Sequence, residues 1–180
     1  MLVAAMNPCP CGNYGDVIKS CICTAHEIYK YQRKISGPML DRIDIQISVP
    51  RETYSKMSGE PTGPKSAEIR EVVAKTREIQ TRRFAPLFEK GRGFVGAWLH
   101  TNSEMGPKEI KKYCQLGPDA EELVKNAVVS HNLSGRSYHK ILKIARTIAD
   151  LDNHETIQAK HIAEAIAYRI RPENDTLGNP

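Results

Sequence analysis

The longest apolar run in these 180 residues is LVAAM, at positions 2–6, far too short to cross a bilayer. No basic leader followed by a long hydrophobic stretch opens the chain, so nothing in it reads as a secretion signal. A cytoplasmic protein without membrane contact is the expectation. Aromatic residues make up only 6% of the chain, with a single tryptophan. The basic groups Lys30/Arg33/Lys34 and Arg77/Arg82/Arg83 lack the interleaved rings of a base-stacking platform and read as solvated faces. Charge of one sign is scarce too. Twenty-six basic against 21 acidic side chains leave a net +5, which permits phosphate contacts without arguing for them. No G-x-x-x-x-G-K-[ST] occurs, and GPKS at 63–66 is not one. Without that loop there is no backbone cradle and no lysine for nucleotide phosphates. No acidic strand end that would position magnesium is visible either.

Cysteine is scarce except in one place. Four of the five cysteines fall within NPCPCGNYGDVIKSCICT, residues 7–24, as two C-x-C pairs, Cys9/Cys11 and Cys21/Cys23. In a reducing compartment such clusters are more often metal ligands or redox thiols than disulfides. Zinc in a tetrahedral thiolate site has Zn–S bonds of about 2.3 Å, which sets its sulfurs roughly 3.8 Å apart. A C-x-C pair reaches that spacing when the backbone between its cysteines turns. Pro8 and Pro10 restrict the turn, while Gly12, Asn13 and Gly15 let the chain reverse and bring Cys21 and Cys23 back. A structural Zn²⁺ held by Cys9, Cys11, Cys21 and Cys23 is therefore expected. Reduced thiols packed as small apolar groups, or a disulfide, are the alternatives. His26 is a reserve ligand because it is close to Cys23. The other histidines show no ligand spacing and read as surface or packing residues, and Cys114 reads as a buried apolar side chain.

Hydrophobic periodicity divides the rest. LVAAM reads as a buried strand with no visible partner nearby, as though the chain were part of something longer. HEIYKYQRK, residues 26–34, has helical spacing, and Ser36-Gly37-Pro38 breaks it. DRIDIQISVP alternates Ile43, Ile45, Ile47 and Val49 with polar residues, as a half-buried strand does. Residues 51–65 read as a polar linker. Ser66 can cap a helix with Ile69, Val72, Val73 and Ile79 on one face. GRGFVGAWLHTN is irregular, with Phe94 and Trp98 as its core. Pro107 and Pro118 suit the first turns of two short helices. Residues 136–151 and 157–169 are amphipathic helices, and RPENDTLGNP is a polar tail.

Taken together, these segments resemble one family. LVAAMNPCPCG is similar to the strand and loop after the Walker B region of magnesium-chelatase-like AAA+ ATPases of the ComM type, and ISGPMLDRIDIQISVP to that family's next loop and strand. LSGRSYHKILKIARTIADL, with HIAEAIAYR behind it, resembles the family's C-terminal helical lid, and NSEMGPKEIKKYCQL fits the lid too. The resemblance implies an α+β fold: residues 1–62 end an AAA+ α/β core, and residues 63–180 form an all-α lid. It also implies an ATP- and Mg²⁺-dependent homo-oligomeric ring in the full-length protein, hexameric, acting on DNA in branch migration. The Walker motifs would lie outside this chain, which would then be inactive alone.

Three residues inherit roles from the resemblance. Asn7 is the sensor-1 residue: a carboxamide offers a donor and an acceptor, for a γ-phosphate oxygen and the attacking water. The plain alternative is an Asx turn before Pro8. Arg42 is an arginine finger supplied to a neighbouring subunit's nucleotide. Its setting resembles the S-R-F arginine of minichromosome maintenance helicases, with Asp41 where their serine stands. A salt bridge to Asp41 or Asp44 is the alternative. Arg136, in the first turn of a lid helix, is the sensor-2 arginine, in cis or in trans. Its alternative is a surface pair with Asp119 or Glu121, worth under ~1 kcal/mol. A magnesium chelatase subunit that metallates a porphyrin would share this machinery, but the double C-x-C loop is not expected there. A free-standing zinc-binding module would need a complete core in the first sixty residues, and a first strand without a partner speaks against it.

Overall fold

A computed structural model describes residues 1–52, 54, 58, 59, 63–89 and 99–169. Phe94, Trp98 and the polar tail lie outside the described residues. The chain divides into two compact units, Met1–Ile43 with Ile47–Pro61, and Asp44–Gln46 with Thr62–Pro180.

The first unit is small. Helix α1 (Ala25–Gln32) begins at Thr24, whose hydroxyl accepts from the Glu27 N–H at 3.3 Å while the Glu27 carboxylate accepts from the Thr24 N–H at 2.8 Å. This reciprocal cap satisfies two of the amides that a helix start leaves without partners. The helix buries Ile28 and ends with Gln32 donating to the Pro8 carbonyl at 3.2 Å, which ties it to the start of the cysteine loop. Ser36 caps a single helical turn, α2 (Gly37–Leu40), so the expected break at 36–38 starts a new helix as well as ending the previous one.

Neither expected strand forms. Residues 1–6 and 44–50 carry no regular structure, apart from a bend at Asp44. Val3 is 82% exposed and Val49 78% exposed. A strand exists only by pairing with a neighbouring strand, and no strand pairs with these segments among the described residues. The one β-bridge there is an isolated parallel contact, Leu116 with Ile157.

The second unit is helical: α3 (Ser66–Glu89), a 3₁₀ turn η1 (Asn102–Glu104), α4 (Pro107–Tyr113), α5 (Pro118–Ser130), α6 (Gly135–Leu151) and α7 (Ala159–Ala167). Pro107 and Pro118 occupy first-turn positions, where a missing N–H costs nothing. Helix α6 is the centre. Its buried stripe of Ile141, Leu142, Ala145, Ile148 and Ala149 packs with Phe84 from α3, Met105, Ile110 from α4, Val124 from α5 and Ile162 from α7. Cys114 lies in this core as expected, and burial pushes its thiol up to about 11. Asp44 pairs with Lys140 at 2.7 Å and the Gln46 N–H donates to the Tyr168 carbonyl at 2.8 Å, which places residues 44–46 in this unit.

Helix α3 corrects the periodicity reading. Ser66 is its first residue and not its cap; the Glu68 carboxylate accepts from the Lys65 N–H at 3.1 Å. Ile69, Val72 and Val73 are 41–49% exposed, and the buried positions among its described side chains are Thr76, Gln80 and Phe84. Helical spacing identifies a face but not what covers it, and only the later turns of α3 reach the core around α6.

Candidate functional site

The cysteine loop closes on itself. The Gly12 N–H donates to the Cys9 carbonyl at 3.1 Å, and the Asp16 N–H to the Asn13 carbonyl at 3.1 Å. Gly12 and Gly15 sit at φ +80° and +79°, where a side chain would be strained. These two turns bring the four thiols together. Sγ of Cys9 lies 3.4 Å from that of Cys11 and 3.7 Å from that of Cys21, and the Cys11 and Cys21 sulfurs are 3.6 Å apart. All four sulfurs, Cys23 included, lie within 4.8 Å of one another, and none is in a disulfide. His26 is exposed and is not in the group.

The donor set suits a metal ion. Four soft sulfurs at this separation match a tetrahedral thiolate cage with sulfurs roughly 3.8 Å apart. Backbone amides favour the charged form at one of them. The N–H of Asn13, and then that of Ile22, holds the Cys11 thiol down to about 6. The Cys11 N–H acts the same way on Cys23, but desolvation and the sulfurs of Cys11, Cys9 and Cys21 outweigh it and push that thiol up to about 12. Cys21 is raised too: the Cys23 N–H lowers it, and desolvation with the Cys11 and Cys9 sulfurs reverses the balance. One easily ionised thiol beside reluctant ones is what a cation entering the group would meet, and its charge would draw the remaining protons off.

Asn7 is exposed just before this loop, with its carboxamide 3.6 Å from where a Cβ on Gly12 would stand. Arg42 is exposed behind α2 and donates from Nη1 to the Pro38 carbonyl at 2.7 Å. Arg136 is exposed in the first turn of α6, after Ser134, whose hydroxyl accepts from the Ser137 N–H at 3.1 Å. The Arg136 side chain makes no hydrogen bond or ion pair among the described residues, with Asp119 and Glu121 included. Asn7 and Arg42 lie in the first unit and Arg136 in the second.

Two polar clusters went unread in the sequence. Asp150 is buried in the helical core, and Arg83 reaches it with both terminal nitrogens, one of them at 2.7 Å to Oδ2. Arg146 donates from Nε to the same carboxylate at 3.0 Å, and Asn102 from Nδ2 at 2.7 Å. Arg83, read as part of a solvated face, is therefore half-buried and tied to the core through Asp150. The i, i+4 spacing of Arg146 and Asp150 was the available signal.

The second cluster is Asp152, His154 and His161, whose ligand atoms converge within 4.8 Å. Nδ1 of His161 accepts from the Gln158 N–H at 3.0 Å, so its proton sits on Nε2, which donates to Asp152 Oδ2 at 3.2 Å. Lys160 holds the same oxygen at 2.6 Å. A metal on Nε2 would force the proton onto Nδ1, against an amide that already donates. This cluster is a clasp across the turn between α6 and α7. No described helix is long and apolar enough to cross a membrane.

Residues 1–57 match the family described as magnesium chelatase, subunit ChlI, and residues 63–169 match the one described as magnesium chelatase, subunit ChlI C-terminal. Competence protein ComM of Haemophilus influenzae is 38% identical over 169 residues, covering 93% of this chain and 30% of that protein. The uncharacterized protein YifB of Salmonella typhimurium is 33% identical over 169 residues, and YifB of Escherichia coli 32%, each with the same coverage. The chain spans about 30% of the length of these relatives. With both stretches matched, and the second alone covering more than half of its residues, the chain belongs to the magnesium chelatase ChlI family and is of the ChlI/ComM type.

Proposed function

We propose that this chain is the C-terminal portion of a ComM-type AAA+ motor, ending its α/β core and supplying its helical lid. The full-length protein would bind ATP and Mg²⁺, assemble as a cytoplasmic hexameric ring, and act on DNA in branch migration. Asn7 would position the attacking water, Arg42 would serve a neighbouring subunit's nucleotide, and Arg136 would sense the γ-phosphate. Segments 1–6 and 43–49 would gain their strand partners from the rest of the core.

The observation that carries this reading is Arg136. A helix start presents unsatisfied N–H groups and a partial positive charge, so a cation there is disfavoured unless an outside anion faces it. Arg136 stands there exposed, with no carboxylate partner among the described residues. A lid arginine on a phosphate would release when the phosphate leaves, so lid angle would follow nucleotide state. The similarity to ComM favours the DNA motor over a porphyrin-metallating subunit. So does the four-thiol group, which we assign to a structural Zn²⁺ on Cys9, Cys11, Cys21 and Cys23.

The test is ATP turnover by the full-length protein, with and without branched DNA. Stimulation by branched DNA, lost on Arg136→Ala with the ring intact, is expected. Turnover that ignores both DNA and Arg136 would remove the reading.

A further inference from the structure

A cleft of about 540 Å³ opens in the helical unit between the last turns of α3, the end of α4 and the turn after α6. Four basic side chains line it, Arg82, Arg83, Lys112 and Arg146, against two acidic ones, Asp150 and Glu155. The floor is already overcharged. Asp150 has a fully buried carboxylate shared between two guanidiniums, Arg83 and Arg146, whose side chains are 14% and 2% exposed. Cys114, beside them, stays a neutral thiol because burial pushes it up to about 11, so it supplies no second negative charge. Arg146 also donates from its two terminal nitrogens to the carbonyls of Glu155 and His154, which fixes its plane.

The rim adds charge. Arg82 has no carboxylate partner among the described residues, and Lys112 has only the Tyr113 ring, with Nζ 4.8 Å from its centroid. Glu155 is exposed and forms no ion pair among the described residues. Two free cations at the mouth of a cleft with an overcharged floor make a site for an anion, and the volume suits a ligand larger than a single ion.

We propose that this cleft binds a phosphate or diphosphate group, gripped by Arg82 and Lys112 at the rim. It rests on the cleft alone and not on the motor reading. The group can come from a free nucleotide or from a nucleic-acid backbone, and the test separates these sources.

Inorganic pyrophosphate and a single-stranded oligodeoxythymidine are each titrated into the full chain at low salt by calorimetry. Arg82→Ala/Lys112→Ala, two exposed substitutions that should leave the helical circular dichroism unchanged, should weaken binding at least about tenfold, the loss of a charge-assisted contact. Lys125→Ala, an exposed lysine of α5 outside the cleft, should not. Saturable pyrophosphate binding assigns the nucleotide source. Binding of the oligonucleotide alone, falling steeply with salt, assigns the backbone. In the unsubstituted protein, the bound probe must shift the backbone amide signals of residues 112–115 and 153–156. Three results would overturn the site: no binding of either probe, binding that the Arg82→Ala/Lys112→Ala variant keeps in full, or amide shifts confined elsewhere.

Discussion

Asp150 is shared between two guanidiniums and accepts from the Asn102 amide in the middle of the helical unit. Removing one partner from such a buried set leaves charges with nothing opposite them, which costs about 3–5 kcal/mol. Asp150→Ala should therefore lower the unfolding free energy of the chain by that amount, as measured by urea denaturation. Arg83→Ala should cost less, because Arg146 still faces the carboxylate. Equal effects would mean that the two arginines are not sharing one charge. Cys11 matters for another reason. A metal takes the thiolate, and Cys11, lowered to about 6 by the Asn13 and Ile22 amides, is the thiol most ready to supply it. Cys11→Ser should drop the zinc content of freshly purified, reduced protein from about one per chain to a small fraction of that, since closed structural sites use four ligands. Full zinc occupancy in that variant, read by elemental analysis, would show that the thiols are not the ligands.

Helix α6 combines a buried stripe, a serine cap and a misplaced charge at its start. Ser134→Ala removes the side chain that accepts from the Ser137 amide and should cost ~1 kcal/mol. Arg136→Ala should have the opposite sign in the isolated chain. It removes a cation from the positive end of the helix and should raise stability by about 0.3–1 kcal/mol. A thermal melt of the two variants checks both signs, and a stability loss in Arg136→Ala would mean that its charge has a partner within the chain. Much of α6 was legible, since Ile141, Leu142, Ala145, Ile148 and Ala149 repeat at helical spacing and are buried. The prolines of α4 and α5 were legible too, because a fixed φ and a missing N–H suit only the first turn. Coverage was not. Ile69, Val72 and Val73 share a helical face, yet what lies over it depends on the path of the chain elsewhere. The alternation at Ile43, Ile45, Ile47 and Val49 likewise records a preference for a strand that no described neighbour completes. The grouping of the four thiols could be read because the cysteines are close in sequence. The Asp150 network could not, because Arg83 meets Asp150 across 67 positions.

At the scale of the molecule, the two units rest on different kinds of order. The helical unit has a continuous apolar core, whereas the first unit buries only Cys9 and Ile28 among its described apolar residues. So little burial does not offset the entropy of fixing the backbone, at roughly 1–2 kcal/mol per residue. A metal on the four thiols would supply what the core lacks. Chelation under reducing conditions should therefore abolish hydrogen-exchange protection across residues 9–32 and leave residues 105–165 protected; uniform loss would show one cooperative unit. Arg42 belongs to the same unit, exposed just after α2. Its guanidinium donates from Nη1 to the Pro38 carbonyl at 2.7 Å. If it reaches the neighbouring subunit's γ-phosphate, its charge acts in the transition state more than on bound ATP. Arg42→Ala in the full-length ring should then leave nucleotide affinity nearly unchanged and cut turnover by roughly 10³-fold or more. Mixing that variant with a P-loop-defective subunit should restore part of the activity, because an intact finger then faces an intact nucleotide site at some interfaces. A finger acting within its own subunit would give no rescue, and near-normal turnover of Arg42→Ala in an assembled ring would remove the role altogether.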